Sequence, residues 1–504
     1  MVASIDPGEK GIQELTRLAT TYALAHGLLY LPVNGVQPPA PTSAIHAPLA
    51  LFPTSFPRSK FLLAQKLQPL YNVLYARVAT DERFLDKIMG SVDGVGKVDR
   101  FTGQLWGCWK QLRDEGIQQG WHLGLFRSDY LLHNPDCGKE VSLKQVEFNT
   151  ISSSFGTLSY HAAALHRYLA KSTSYFGAFP GFNLGDLPQN NAPAGLARGL
   201  AEAHAAYGSV NAQILFVVQP NERNVFDQRY LEYELLERHS LHVIRQTFNE
   251  LAESVEVDPS SRVMRIKHPV TNQAIEISVV YFRAGYTPTD YPTQTQFTTR
   301  LLLERSRAIK CPTIQLQLAG GKKVQQVLTK PGVLESFLLD RTRWDGPDFT
   351  EADVALLRDS WMGMWGLDED GDGGVEKARS LAEKLVLKPQ REGGGNNVYK
   401  SSIPRFLDTL PLAEREAWIA MELIETPKGI DNHLVRAGSG SQGAVKAETI
   451  SELGIFGWAL FGPGAKEIKH EEAGWLVRTK GTDSDEGGIA TGFSVLDSLL
   501  LVDE

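Results

Sequence analysis

Cysteine is nearly absent from this chain. Three occur in 504 residues, Cys108, Cys137 and Cys311, and no two form a CxxC pair. An odd, sparse count excludes a disulfide framework and suits a reducing compartment. GxSxG and HExxH are both missing, which removes the common local signatures of serine hydrolases and metallopeptidases. No glycine run leads into Gly-Lys-Ser/Thr, so there is no P-loop. Positive charge is not in excess either: 51 Lys plus Arg against 59 Asp plus Glu leaves −8. That balance argues against nucleic acid or an anionic membrane as partner, but leaves room for a locally basic pocket. The most apolar early stretch, residues 22–33, contains His26 and Pro32 and is too short to span a bilayer. Residues 1–18 are charged and polar and do not read as a secretory leader. A cytoplasmic protein is therefore expected. Internal repeats and extended low-complexity segments are also lacking.

What is present has the composition of a globular protein, 42% hydrophobic and 22% charged. A chain of this length requires several structural units. Prolines 38, 39, 41, 48, 53 and 57 make residues 38–58 an extended wrap. Residues 61–79 have helical spacing with a possible kink at Pro69, and 103–121 and 162–169 also read as helix. LKQVEFNT (143–150) alternates as a strand, which predicts Val146 and Phe148 on one face and Gln145, Glu147 and Asn149 on the other. Residues 214–219, 226–239, 241–246 and 275–283 read strand, helix, strand, strand. That is a βαβ signature and places a parallel α/β unit at about residues 212–322. Later helices are expected at 298–308 and 351–365, and strands at 385–388, 418–425 and 454–461.

Three constellations carry chemistry. In KPQREGGGNN (388–397) a strand delivers Lys388 into a charged, glycine-rich turn whose N–H groups can converge on an anion. Glu147 and Asn149, spaced i, i+2, put two hard oxygen ligands on one strand face, which suits Mg²⁺ better than zinc, with Glu392 as a further carboxylate. Arg478 and Lys480 put two cations on one strand face beside the glycine-rich stretch 481–492, an arrangement like a lid over an anionic ligand. Each alone also fits a solvated strand or turn. Two further patterns are decoys. The acidic turn Asp368, Asp370, Asp372 resembles half of an EF-hand, but Arg379 stands where the bidentate Glu belongs. GSGSQG (438–443) spells a dinucleotide fingerprint without the strand and helix that would surround it.

Taken together, eight ordered blocks resemble the eukaryotic glutathione synthetase family of ATP-grasp ligases. They are RSDY (127–130), VEFNTISSSFG (146–156), ERNVFDQR (222–229), YFRAGY (281–286), LAGGKKVQQ (318–326), LKPQREGGGNN (387–397), ISELGIFG (450–457) and the RTK to EGGIATG end (478–492). The resemblance implies ligation of γ-glutamylcysteine and glycine at the expense of ATP, through an acyl phosphate, with Mg²⁺ as cofactor, in a homodimer. It implies an α/β fold: a circularly permuted ATP-grasp body with glycine-rich lid loops, interrupted by a substrate-binding α/β domain. The units would be residues 1–211, 212–322 and 323–504. A sister activity using β-alanine in place of glycine is the nearest alternative, and a non-enzymatic nucleotide- or Ca²⁺-binding protein the distant one.

By the same resemblance, Glu147, Asn149 and Glu392 would hold Mg²⁺. Lys322, Lys388, Pro389, Gln390, Arg391, Gly393, Gly394, Gly395, Asn396, Asn397 and Tyr399 would surround ATP. Met421, Glu422, Leu423 and Ile424 would face its adenine, Glu452 its ribose, and Lys480 and Glu486 would complete the nucleotide end. γ-Glutamylcysteine would meet Ile151, Ser152, Ser153 and Ser154, then Glu222, Arg223, Asn224 and Gln228, and the turn Arg283, Ala284, Gly285 and Tyr286. Arg127 and Arg478 would hold carboxylates, Arg478 that of glycine, with Ile489 and Ala490 closing around it. With Lys388, these two arginines are the residues expected to act in catalysis. Ser153 and Ala284 depart from the family pattern, the first larger than usual and the second replacing an acidic residue.

Overall fold

The computed structural model describes residues 7–32, 40–135, 140–178, 183–268, 270–368, 373–391, 395–437, 443–483, 489, 492 and 494–503. The elements that frame the site begin with helix α1 (Arg58–Thr80), which carries Pro69 inside it. Strands β1 (His122–His133) and β2 (Ser142–Asn149) follow, then helices α2 (Gly156–Thr173) and α3 (Ala192–Tyr207). The parallel unit comprises β3 (Gln213–Val217), α4 (Val225–His239), β4 (Val243–Gln246), β5 (Ala274–Phe282) and β6 (Ile309–Cys311), followed by helix α5 (Lys322–Leu328). Strands β7 (Leu385–Pro389), β8 (Trp418–Glu422), β9 (Val445–Phe461), β10 (Ile468–Gly481) and β11 (Ser494–Asp497) complete the frame.

A 13-stranded mixed sheet runs through the molecule. β3 pairs in parallel with β4 and β5, and β5 with β6, as the strand–helix–strand pattern predicts. β6 also pairs in parallel with β1 at Lys310 and His122, so this unit shares one sheet with the rest of the chain. β1, β9, β10 and β11 are antiparallel neighbours. A second, four-stranded antiparallel sheet contains β7 and β8. The fold is mixed α/β.

Several elements differ from the sequence expectation: the strands because tertiary pairing outranks local pattern, the helices at their caps. The expected helix over 351–365 ends at Asp359; Met364–Gly366 is instead a strand paired with β8. The expected 103–121 and 298–308 helices span Arg100–Glu115 and Gln294–Glu304. The strand expected over 418–425 ends at Glu422. β2 carries a bulge: Asp129 faces Glu147, but Tyr130 faces Gln145, so Val146 is the extra residue. The bulge reverses the face of Gln145, which turns into the interior and donates to Ser128 Oγ at 2.6 Å. Glu147 and Asn149 keep the shared face predicted for them.

On the back of this sheet α1 packs its aromatic stripe. Phe148 stacks on Tyr75 at 4.0 Å and Tyr71 at 5.4 Å between ring centres, and lies 5.2 Å from Phe126. On the front, α2 and α3 cover one end: a Cβ at Gly199 of α3 would lie 3.0 Å from Leu125, which shows how close that helix sits. The other end of the front face is open. Further along the back, buried Asp497 accepts from Thr54 Oγ1 at 2.7 Å, Thr479 Oγ1 at 2.6 Å and the Ser498 N–H at 2.6 Å. Burial outweighs these donors and pushes its carboxyl up to about 6.

Phe148→Ala should cost about 3–5 kcal/mol, because it empties an aromatic cluster directly behind Glu147 and Asn149; denaturant unfolding measures it, and a loss under about 1 kcal/mol would contradict the packing role. For Asp497 the folded carboxyl holds its proton above the unfolded value, so its stabilisation is complete below that value and lost as pH rises through about 6. Calorimetry from pH 5 to 7 should therefore show the midpoint of Asp497→Asn gaining on that of the native chain, and a pH-independent gap would refute this.

Candidate active site

Strand register builds the open end of the front face. Glu452 on β9 lies opposite Arg478 on β10, and Ile450 lies opposite Lys480. One step along, Gly454 faces Asp129 on β1, which faces Glu147 on β2; Phe456, Arg127 and Asn149 form the next row. Alternation then puts Lys480, Arg478, Glu452, Asp129, Arg127, Glu147 and Asn149 on one surface. Across from it stand β7 and β8 of the smaller sheet, and Lys388 Nζ reaches over to donate to Val146 O at 3.1 Å. Lys322 opens α5 after Gly320 and Gly321; a Cβ at Gly320 would lie 2.3 Å from Thr150 Oγ1, so this turn presses on the end of β2. Lys322 Nζ thereby meets Glu147 Oε2 at 2.7 Å.

These elements enclose one cavity of about 1520 Å³. Of the residues predicted from the sequence, it is lined by Arg127, Glu147, Asn149, Ile151, Ser152, Ser153, Ser154, Tyr286, Lys322, Lys388, Arg391, Asn396, Asn397, Tyr399, Met421, Glu422, Leu423, Ile424, Glu452, Arg478, Lys480 and Ile489. Glu392, Gly393, Gly394, Glu486 and Ala490 lie outside the described residues, as do Cys137, Asp370 and Asp372.

The other predicted residues among those described do not line it. Gln390 turns inward, accepting from the Lys323 N–H and donating to Ala417 O, both at 3.1 Å. Pro389 ends β7 opposite Trp418, and Gly395 (φ 77) is exposed. Glu222 accepts from the Asn224 N–H at 2.7 Å and from Gln228 Nε2 at 3.0 Å, which turns its carboxylate toward its own turn, whereas the buried Asn224 Oδ1 has no hydrogen-bond partner. Arg223 donates to Leu31 O at 3.1 Å and lies over the Tyr30 ring. Arg283 supports the lining segment from below, through Ser153 O at 3.0 Å. Ala284 is buried, and Gly285 (φ 91) donates its N–H to Asp290.

Of the two decoys, Asp368 is held by Lys323 Nζ at 2.7 Å, and strand β9, not a helix, begins at Val445, two residues after Gly443. Sequence reasoning missed Val146, which the bulge turns to the cavity, and lining residues Thr287, Lys384, Lys400, Thr426 and Lys428. It also missed Asp129, although its i, i+2 spacing from Arg127 within RSDY was a visible signal.

The electrostatics of the floor are dense. Burial alone would push the Glu147 carboxyl up; Lys322 and Lys388, the hydrogen bond from Lys322, and Arg478 hold it well below the usual carboxylate range. Glu452 shifts the other way: burial, with the nearby charges of Asp129 and Glu147, outweighs its contact with Arg478. Arg478 holds its proton against burial because Glu452 and Asp129 flank it. Both carboxylates are recessed, not sealed, with side chains 23% and 21% exposed. Asn149 Nδ2 donates to Arg127 O at 3.2 Å and Asp129 Oδ2 at 3.0 Å, which leaves Oδ1 as the amide's remaining polar atom. An ionised carboxylate beside an amide oxygen, with no His or Cys among the described lining residues, is a donor set that fits Mg²⁺.

Residues 9–501 match the family model described as eukaryotic glutathione synthase, ATP-binding domain. Glutathione synthetase of Bos taurus is 41% identical over 495 residues, 97% of each chain. That of Homo sapiens is 41% identical over 491 residues, 97% of this chain and 96% of the other. The chloroplastic glutathione synthetase of Solanum lycopersicum is 39% identical, over 99% of this chain and 86% of its own. Among solved structures, a glutathione synthetase-like effector from Globodera pallida superposes with TM-score 0.75 across 99% of both chains at 23% identity, a likeness of fold. The class is therefore that of ATP-dependent ligases. Within it, the chain belongs to the eukaryotic glutathione synthetase family.

Proposed function

We propose that this chain joins γ-glutamylcysteine to glycine with cleavage of ATP to ADP and phosphate. The observation that carries the reading is the cavity lined by Lys322, Lys388, Lys480, Arg127 and Arg478 together with Glu147, which Lys322, Lys388 and Arg478 hold in its charged form. A carboxylate is a poor electrophile, and phosphorylation converts it into an acyl phosphate that the glycine amine can attack. Fixed cations oppose the charge that gathers on the transferring phosphoryl group and on the oxyanion formed by attack. Lys322 and Lys388 sit where they can meet phosphate oxygens. Arg127 and Arg478 carry guanidinium N–H groups beyond those given to Asp129, and a guanidinium suits a substrate carboxylate. The apolar edges of Met421, Leu423 and Ile424 suit adenine, and Glu452 a ribose hydroxyl. Tyr286 and the segment 151–154 would receive the peptide. Glu147 and Asn149, with Glu392, would hold Mg²⁺, which supplies charge neutralisation at the phosphates when bound. Exclusion of water from this cavity during turnover would protect the acyl phosphate from hydrolysis.

A homodimer and a cytoplasmic location accompany this reading. The animal relatives support neither directly, and the plant relative carries a chloroplastic name. No helix among the described residues is long and apolar enough to cross a membrane. Early strands β1 and β2 and late strands β7 to β10 line one cavity, which supports a permuted ATP-grasp body around residues 212–322.

ADP release should require both γ-glutamylcysteine and glycine, with β-alanine a poor substitute; turnover without the dipeptide, or preference for β-alanine, would overturn the assignment. Lys322→Ala and Lys388→Ala should each raise the KM for ATP about tenfold or more, the value of a charge-assisted hydrogen bond. An ATP KM unchanged in both would remove these lysines from the phosphate site.

A further inference from the structure

Asp129 is fully buried and therefore reaches no ligand, yet it touches three residues that do face the cavity. Its Oδ1 accepts from Arg127 Nε at 2.6 Å. Its Oδ2 accepts from Arg127 Nη2 at 2.9 Å, Asn149 Nδ2 at 3.0 Å and Arg478 Nη2 at 3.0 Å. One carboxylate oxygen thus gathers donors from β1, β2 and β10.

Two guanidinium groups this close repel each other and, left alone, would diverge. A buried anion between them removes the repulsion and selects one rotamer of each long side chain. The same oxygen orders the Asn149 amide, so that its nitrogen faces the protein. Strand β9 leaves the space for this arrangement. Gly454 lies opposite Asp129, and a Cβ there would come within 2.9 Å of both Asp129 Oδ1 and Arg127 Cδ.

We infer that Asp129 is a positioning residue, which holds the two substrate-facing arginines and Asn149 in one mutual geometry, with Gly454 opposite it as the clearance that geometry needs. The inference rests on the ligase reading above. It deepens that reading by making the two carboxylate-binding arginines a coupled pair.

The test uses the full-length enzyme with Asp129→Asn and, independently, Gly454→Ala, which alters no charged group. In Asp129→Asn the amide nitrogen cannot accept, so donors on one side of the group lose their partner. The KM values for γ-glutamylcysteine and glycine should both rise by about tenfold or more, the KM for ATP should rise by less, through Asn149, and kcat should fall. Gly454→Ala should show the same split in smaller measure. Peptide and glycine KM values unchanged in a folded Asp129→Asn enzyme, even with a lowered thermal midpoint, would overturn the inference by reducing Asp129 to a structural role. If Asp129→Asn does not fold, Gly454→Ala decides in the same way. A native chain without dipeptide-dependent ADP release would instead overturn the ligase reading and this inference with it, so the two failures are distinct.

Discussion

The structure turns on the register of four adjacent antiparallel strands. β10, β9, β1 and β2 are aligned so that Arg478 meets Glu452, and Gly454, Asp129 and Glu147 fall in one row. A slip of one residue in any of them would exchange the charged face for the aromatic one packed on α1. The same alternation that buries Phe148 and Phe126 behind the sheet therefore fixes where the ionic groups stand in front of it. Core and cavity are two sides of one pleat.

That arrangement also explains how a chain of net charge −8 can build a cationic cleft. The cations are not a patch on the surface. Lys322 is tied to Glu147, Arg127 to Asp129, and Arg478 to Glu452 and Asp129, so each reaches the cavity already paired. Pairing makes the burial of so many charges tolerable and pre-orients them. It also divides the carboxylates: Glu147, beside Lys322 and Lys388, is held in its charged form, whereas Glu452 is pushed the other way by burial and like charge. Two acidic residues on strands that flank β1 thus acquire different character from their surroundings alone.

Much of this was legible in the order of residues. The i, i+2 pairs Glu147 with Asn149 and Arg478 with Lys480 imply shared faces, and the pleat honours them. The strand–helix–strand pattern after residue 212 appears as β3, α4 and β4 in parallel pairing. What was illegible has a common cause. The bulge at Val146 adds a residue that no periodicity announces, and it reversed Gln145. The strand Met364–Gly366 looked like the tail of a helix because its partner, β8, lies more than 50 residues away. Glu222, Asn224 and Gln228 lie together, as the ERNVFDQR block places them, but outside the lining of the cavity.

The sequence by itself determined the chemical inventory and the local periodicities: oxygen ligands without thiol or imidazole, lysines beside glycines, arginines on alternating strands, and a composition suited to a large buried core. Those properties follow from residue type and spacing, which act over a few positions. Only the tertiary structure decided which residues meet. Asp129 could not be known to join Arg127, Asn149 and Arg478, because the last lies 349 residues away in the chain. Hydrogen-bond register between distant strands brings them together, and register is a property of the whole sheet.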